Sequence, residues 1–168
     1  MFILLSCAHS APQRSVATAE TAPKQATPYA LDLKLQSPHS ELALSSFAGR
    51  LVLLLISTPG CEACDRLKPG VEGLAERLQS EAISVSFVTA FLERPQDLGS
   101  EDSGGGARWA DPRLAAGETK LGSIDAVPLT WLLSRDGVPL LRYEGAGDEV
   151  VRHLEEDLRG YLRVESDF

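Results

Sequence analysis

Two hydrophobic patterns follow each other between residues 31 and 56, first an alternating one and then a continuous run. Residues 31–35 alternate between leucine and a charged residue, which predicts a strand with one exposed face. Residues 42–44 form a second short extended segment, and residues 51–56 read Leu-Val-Leu-Leu-Leu-Ile without interruption. An unbroken run of β-prone residues is typical of a strand that is buried on both faces.

The apolar period changes to that of a helix after this strand. The positions that share one helical face are Leu67, Val71, Leu74, Ala75 and Leu78. They predict a helix from about Cys61 to Ser80, and Pro69 inside it should cause a kink because proline removes a backbone hydrogen bond.

The remaining pattern predicts alternating strands and helices. We predict a strand at 83–90, a short helix at 115–121, a buried strand at 127–133, a hairpin turn at 135–137, a returning strand at 139–143, and a final helix at 149–162 capped by Asp148. The predicted order β-β-β-α-β-α-β-β-α indicates an α/β fold with a central mixed sheet and helices on both faces.

Two cysteines lie at the junction of the buried strand and the first long helix. Residues 57–60 (Ser-Thr-Pro-Gly) end the strand, so Cys61 lies at or just before the helix N-terminus. The unpaired N–H groups and the positive dipole end there stabilise a thiolate. Cys64 follows one turn later and can form a disulfide with Cys61. A C-x-x-C pair at a strand-to-helix junction indicates a dithiol redox site.

Length and charge narrow the range of functions. The chain has 168 residues, of which 43% are hydrophobic, and this suits one domain with a sizeable core. The formal net charge is -8 and no basic cluster interrupts the acidic surplus, so we expect no nucleic-acid partner. We expect the protein to be a monomer.

The N-terminal segment has a different composition from the rest. Leu4-Leu5-Ser6-Cys7 resembles a bacterial lipoprotein box, in which the cysteine (here Cys7) is acylated. Only six residues precede Cys7, too few for a signal peptide, so we expect the true start to lie upstream. Residues 10–28 are poor in large apolar side chains and should form a disordered tether. The alternative is an incidental cysteine in a disordered N-terminus.

These features predict how the chain is divided into segments and where in the cell the protein is located. Residues 1–29 would be the lipid attachment segment and tether, and residues 30–168 the folded domain. We expect the domain to lie on the periplasmic side of a bacterial cell envelope, with the lipid anchor as its membrane attachment, since no other segment is long and apolar enough to span a bilayer.

Four segments, in order, resemble one family. They are residues 44–53 leading into the buried strand, the Cys61–Cys64 helix with Pro69, Asp111 ahead of Leu121-Gly122, and residues 127–137 (Val-Pro-Leu-Thr-Trp-Leu-Leu-Ser-Arg-Asp-Gly). Over residues 31–162 the chain resembles thioredoxin-fold proteins of the TlpA/ResA-like and redoxin families.

The resemblance implies a thioredoxin-like three-layer fold and a thiol-disulfide oxidoreductase. Cys61 would attack the substrate and Cys64 would resolve the mixed disulfide, with no cofactor because the sulfurs carry both electrons. A cis Val127–Pro128 bond would align an incoming polypeptide as an added strand, with Gly60 also bordering the substrate. Partners would be protein thiols or disulfides, small thiols, or an upstream membrane dithiol donor.

The sequence departs from the family pattern around the cysteines. Gly60 stands where relatives usually have tryptophan, Leu55 lies in the region where thioredoxins have a buried aspartate, and Leu67 replaces a glutamate found in other relatives. No obvious buried carboxylate remains to take the proton from Cys64. Glu62 and Asp65 flank the cysteines, but we expect both to be solvated.

Three alternative functions compete with this interpretation. Thr58-Pro59-Gly60-Cys61 resembles the end of a peroxiredoxin site, which also needs an arginine, nominally Arg135 or Arg142. A copper metallochaperone of the same fold would need two thiolates and a histidine. The histidines are His9, His39 and His153, each expected on the surface. The third alternative is a structural disulfide, although so short a loop contributes little stability.

Overall fold

The computed structural model describes residues 29–37, 40–93 and 109–166. The predictions for Cys7, the tether, His9 and His39 lie outside the described residues.

The described residues form a seven-stranded mixed sheet with helices on both faces. The strand order is β2-β1-β5-β4-β3-β6-β7, in which β3 is parallel to β4 and antiparallel to β6. The elements are β1 Lys34–Gln36, β2 Glu41–Ala43, β3 Leu51–Ser57, α1 Glu62–Ser80, β4 Val85–Phe91, β5 Trp109–Ala110, α2 Pro112–Ala115, β6 Leu129–Leu133, β7 Pro139–Glu144 and α3 Asp148–Ser166, with a short 3-10 helix at Leu44–Phe47. The predicted α/β architecture is confirmed.

The core has two halves, one on each face of β3. All seven residues of β3 are buried, as the continuous apolar run predicts. Successive side chains of a strand point to opposite faces. One set packs with α1 and α3, namely Leu51, Leu53 and Leu55, and the other set, Val52, Leu54 and Ile56, packs with the N-terminal leucines and Leu114 of α2.

Two predicted helices, the short one and the last one, differ from the observed helices, and one observed strand was not predicted. The short helix lies at Pro112–Ala115 rather than at 115–121, because Asp111 caps it by accepting a hydrogen bond from Arg113 N–H and the chain turns at Gly117 with φ +69°. The two-residue strand β5 was not predicted. Asp148 lies in the first turn of α3 rather than before it, and α3 continues to Ser166.

The N-terminal strand is shorter than predicted, although its alternation is confirmed. Leu31, Leu33 and Leu35 are almost completely buried, whereas Asp32 and Lys34 are exposed. Only the last part of this segment pairs with β2 and β5 as β1. Among the described residues, none of the helices combines the length and apolar composition that crossing a bilayer requires.

Asp111 ties the N-terminal strand to α2. Its carboxylate is buried and accepts hydrogen bonds from Lys34 N–H at 3.2 Å and from Arg113 Nη2 at 2.8 Å, while the same Arg113 group donates to Asp32 C=O at 2.7 Å. Burial raises the pKa of Asp111, but the hydrogen bonds from Arg113 and Lys34 outweigh that effect and hold it below its usual value. The ionised form of Asp111 therefore stabilises the fold.

Asp111→Asn should lower the free energy of unfolding by about 2 kcal/mol at neutral pH, since a charged acceptor of several donors is lost. The contribution of a carboxyl with a lowered pKa is complete above its unfolded value of about 3.9 and disappears as the pH falls through the folded pKa. Urea unfolding of both proteins should thus converge in acid. Asp125→Asn, at an exposed aspartate, is the control, and equal losses in the two variants would contradict this role.

Gly70 on α1 lies directly against Val151 on α3. A Cβ built on Gly70 would lie 2.8 Å from Val151 Cγ2, whereas one on Gly73 would meet only Arg77 Nη1 at 3.8 Å. A β-branched valine cannot move aside easily, because its χ1 is restricted. The absence of a side chain at Gly70 therefore allows α1 and α3 to pack closely at this point.

The two glycines predict opposite effects of the same substitution. Gly70→Ala should destabilise the protein by about 1–3 kcal/mol through overpacking. Gly73→Ala should stabilise it by about 0.5–1 kcal/mol, because alanine loses less backbone entropy in a helix. Thermal unfolding of both variants checks this pair, and a stabilised Gly70→Ala variant would show that the helices can separate without cost.

Candidate active site

A short turn carries the chain from the end of β3 to the first cysteine. Cys61 N–H donates to Thr58 C=O at 3.3 Å, and Gly60 between them has φ +72°. A side chain is costly in this left-handed conformation, and glycine is not. Gly60 is exposed, and a Cβ placed on it would contact nothing within 4 Å. The surface beside Cys61 is therefore open.

The two cysteines form a disulfide at the start of α1. The Cys61 and Cys64 sulfurs are 2.10 Å apart and their Cα atoms 5.2 Å apart. Cys61 is the N-cap of α1, and its Sγ accepts a hydrogen bond from Cys64 N–H at 3.1 Å. Cys61 is partly exposed, whereas Cys64 is only 2% exposed. The first cysteine is thus partly accessible to another molecule, and the second is covered.

The charged residues next to the cysteines face solvent. The Glu62 side chain is 91% exposed and lies 3.9 Å from Arg66, a weak surface ion pair. Asp65 is also exposed, as predicted. Neither carboxylate is buried beside a sulfur, so the N-terminus of α1 and the Cys64 N–H are the favourable electrostatic contacts of Cys61.

The predicted cis bond between Val127 and Pro128 is present, just before β6. Leu129 pairs with Ile56 near the C-terminal end of β3. The cis bond therefore lies at the same end of the sheet as the turn that connects β3 to Cys61. Pro128 C=O already accepts a hydrogen bond from Gly145 N–H at 3.0 Å. Val127 is partly buried, and its main-chain N–H and C=O make no hydrogen bond to any described residue.

A cavity of about 70 Å³ lies between the sheet and α1, against Cys64. Leu55, which lies in the region where the resemblance implies a buried aspartate, lines this cavity together with Cys64. The other lining residues are Ser57, Thr58, Pro59, Gly60, Asp65, Lys68, Thr89 and Phe91. Thr89 was not among the residues predicted from the sequence. A signal for it exists, because position 89 continues the two-residue spacing of Ile83, Val85 and Phe87 but carries a polar side chain.

The arginines required by the peroxidase alternative lie away from the sulfurs. Arg135 follows the far end of β6, where it donates to Gly49 C=O at 3.2 Å and pairs with Glu165. Arg142 stacks on Trp131, which packs on the face of the sheet opposite to α1. Neither position allows a guanidinium to contact Cys61.

The histidine considered for a metal site is on the surface. His153 is exposed on α3 and contacts Arg152 Nη2 at 3.0 Å. Within the described ranges, no group of three or more histidine, cysteine, aspartate or glutamate side chains is arranged to hold a metal ion.

Comparison with known proteins identifies the fold. No protein-family model matches the chain, and no curated protein sequence does. The solved structures that it resembles include the thioredoxin domain of a thiol-disulfide oxidoreductase from Bacteroides vulgatus, with 16% identity, TM-score 0.58, and coverage of 76% of this chain and 94% of that one. StoA from Bacillus subtilis has 19% identity, TM-score 0.53, and coverage of 78% and 97%.

A third similar structure is the exposed lipoprotein thioredoxin of Streptococcus pneumoniae, with 16% identity, TM-score 0.56, and coverage of 75% of this chain and 98% of that one. The described residues therefore have the thioredoxin-like fold, with a C-x-x-C pair at the start of its first long helix.

Proposed function

We propose that the protein is an extracytoplasmic thiol-disulfide oxidoreductase that acts on protein or small thiols through Cys61 and Cys64. The observation that carries the proposal is the asymmetry of the pair. The accessible sulfur caps a helix and accepts a backbone N–H, and its partner is buried one turn below. A structural disulfide has no need for this arrangement, whereas a nucleophile and a resolving thiol require it.

Exchange at this pair follows from the geometry. In the reduced protein, the helix N-terminus and the Cys64 N–H favour the Cys61 thiolate, which attacks a substrate disulfide and releases one substrate thiolate. Cys64 then attacks Cys61 Sγ. The Cys61–Cys64 bond forms, the bond from Cys61 to the substrate breaks, and the second substrate sulfur leaves with the electron pair. The protein dithiol is oxidised and the substrate disulfide is reduced.

Val127 is the position where a polypeptide substrate would bind. Its unpaired main-chain N–H and C=O lie next to Pro128, at the same end of the sheet as the turn that connects β3 to Cys61. An extended peptide can bond to such groups as an added strand. Pro128 contributes shape rather than hydrogen bonds, since its carbonyl is occupied by Gly145 and proline has no N–H. Gly60 is exposed, so the surface beside Cys61 is open as well.

The proposed location rests on the N-terminal segment. Cys7 lies in a lipoprotein-box-like sequence, and one similar solved structure is described as an exposed lipoprotein. A lipid on Cys7 and a tether reaching to residue 29 would hold the domain at the outer face of a bacterial membrane, as a monomer. A membrane dithiol could then renew the reduced form.

Alkylation should distinguish the two thiols. In the reduced protein, iodoacetamide should modify Cys61 first and with a pKa below the free-thiol value of about 8.5, because its thiolate is exposed and stabilised at the helix start. Mass spectrometry of peptides from a pH series measures both rates. Equal and slow labelling of Cys61 and Cys64 would favour a structural disulfide.

Cysteine variants should reveal the order of attack. Cys64→Ser should accumulate mixed disulfides with cellular proteins, because serine cannot displace the partner from Cys61. On a non-reducing gel these adducts should run above the monomer and disappear with dithiothreitol. Cys61→Ser is the matched control and should form few adducts, since Cys64 is buried. If both variants trap partners equally, the assigned roles are wrong.

A further inference from the structure

The chain enters the domain at the end of the sheet that is opposite to the cysteines. Ala30 N–H donates to Asp136 C=O at 2.7 Å. The ring of Tyr29 packs so closely on Gly137 that no side chain would fit there. Both contacts are with the turn after β6, and β6 is antiparallel to β3. Since β3 has seven residues and leads to Cys61, this turn lies about 20 Å from the end of β3 that precedes the cysteines.

Several segments meet at this end of the sheet and form one surface, which we call the distal pole. Gly49 N–H donates to Arg135 C=O at 2.9 Å, which joins the start of β3 to the turn after β6. Leu51 N–H donates to Ser84 C=O at 2.9 Å, which adds the connection from α1 to β4. The ion pair of 3.4 Å between Arg135 and Glu165 adds the end of α3. The distal pole comprises residues 29–30, 47–50, 81–84, 134–138 and 159–165.

The distal pole carries the two large hydrophobic side chains that are exposed within the described ranges. Val138 in the turn is 45% exposed, and Val164 near the end of α3 is 59% exposed. The pole also contains an open groove of about 340 Å³, which is lined by Ile83, Arg159, Leu162 and Arg163. Single exposed apolar side chains are common on protein surfaces, but both of these lie where the chain enters the domain. This end therefore offers apolar contacts to whatever covers it.

The charge of the distal pole differs from that of the whole chain. Four arginines and three carboxylates give it a net charge of +1, whereas the chain has a formal net charge of -8. The seven residues are Arg50, Arg135, Arg159, Arg163, Glu81, Asp136 and Glu165. Arg159 is held by Glu81 and Glu155, whereas Arg50 and Arg163 are exposed. An anionic surface would therefore attract this end of the domain and repel the remainder.

We propose that the distal pole lies against a membrane surface that contains anionic phospholipid. The exposed arginines face the phosphate groups, and Val138 and Val164 contact the headgroup region. The position of the N-terminal segment supports this occupant, because Cys7 precedes Tyr29 by 22 residues and a lipid on Cys7 would attach the chain at this pole. Such an attachment makes contact with the membrane intramolecular, so weak contacts are sufficient to choose which end of the domain faces it.

The position of Cys61 relative to the bilayer follows from this orientation. Cys61 lies about 20 Å farther from the membrane than the distal pole and faces the aqueous phase. Polypeptide substrates can then approach it from solution, and a membrane dithiol donor has to present its thiols at the same height. This inference rests on the proposed extracytoplasmic function and on lipid attachment at Cys7.

Hydrogen exchange on vesicles tests which end of the domain faces the lipid. Two of the three cysteines form the disulfide, so Cys7 is the free thiol of the oxidised protein. Cys7 is coupled to a maleimide lipid in phosphatidylcholine vesicles that contain about 30% phosphatidylglycerol, or to N-ethylmaleimide as the soluble reference. On the vesicles, amides of residues 134–138 and 160–165 should exchange at least about threefold more slowly than in the reference. Amides of residues 60–66 should stay within about 1.5-fold.

Matched arginines at the two ends of the domain show whether the contact is specific. Arg163 and Arg66 are both exposed on helices, the first at the distal pole and the second near Cys61. Arg163→Gln should weaken the membrane contact about fivefold and remove most of the slowing, whereas Arg66→Gln should leave it within about 1.5-fold. Val164→Ser should weaken the contact about threefold, because it removes apolar area. Each variant is compared with its own soluble form, so that changes in local stability cancel.

Four results on the vesicles would overturn the inference. They are no slowing at the distal pole, equal slowing at both ends of the domain, equal losses in Arg163→Gln and Arg66→Gln, and equal slowing on vesicles of phosphatidylcholine alone. Slowing of the same amides in the soluble form as its concentration rises would assign the pole to a second copy of the chain and would also overturn it.

The proposed oxidoreductase function fails on different measurements. Equal and slow alkylation of the two active-site cysteines, or equal trapping of partners by Cys61→Ser and Cys64→Ser, would contradict that function or its assigned roles. Neither result changes the exchange pattern of the vesicle-coupled protein, because that experiment uses the oxidised form and supplies the lipid chemically.

Discussion

The burial of β3 on both faces is the constraint on which the rest of the structure depends. All seven of its residues are buried, so their backbone N–H and C=O groups need partners within the protein, most of them in the neighbouring strands. The partners are β4 on one side and β6 on the other, and each pairing has one register. Those registers place Thr89 beside Leu55 and bring Pro128 to the end of β3. The surroundings of the cysteines are therefore a consequence of covering one apolar strand.

The features that the sequence could predict are those set by long apolar patterns. The continuous run of β3 and the helical period after it locate Cys61 at the start of α1, and the structure places the cysteine there as the N-cap. The alternation at Leu31–Leu35 likewise predicts which side chains are buried, even though only part of the segment pairs as a strand. The cis bond before Pro128 is different, because it was expected from the family resemblance and not from any local pattern.

The features that could not be predicted depend on contacts between distant segments. The two-residue strand β5 exists because Trp109 and Ala110 pair with β4, and Ala110 also pairs with β1. Likewise, α2 starts at Pro112 because Asp111 is fixed by donors that include Lys34, which is 77 residues away. Thr89 is a polar residue on an otherwise apolar face of β4. It lines a cavity only because α1 packs against this face of the sheet.

The chain buries a charged side chain at Asp111 and an apolar side chain at Leu55. Asp111 stays ionised while buried because several N–H groups donate to it. The described structure offers no comparable set of donors around Leu55, whose neighbours across the strands are the hydroxyls of Thr89 and Thr130. A carboxylate there would have a raised pKa and, once ionised, would repel a Cys64 thiolate. Among the described residues that line the cavity beside Cys64, the one carboxylate, Asp65, is exposed, so no buried anion there opposes the ionisation of Cys64.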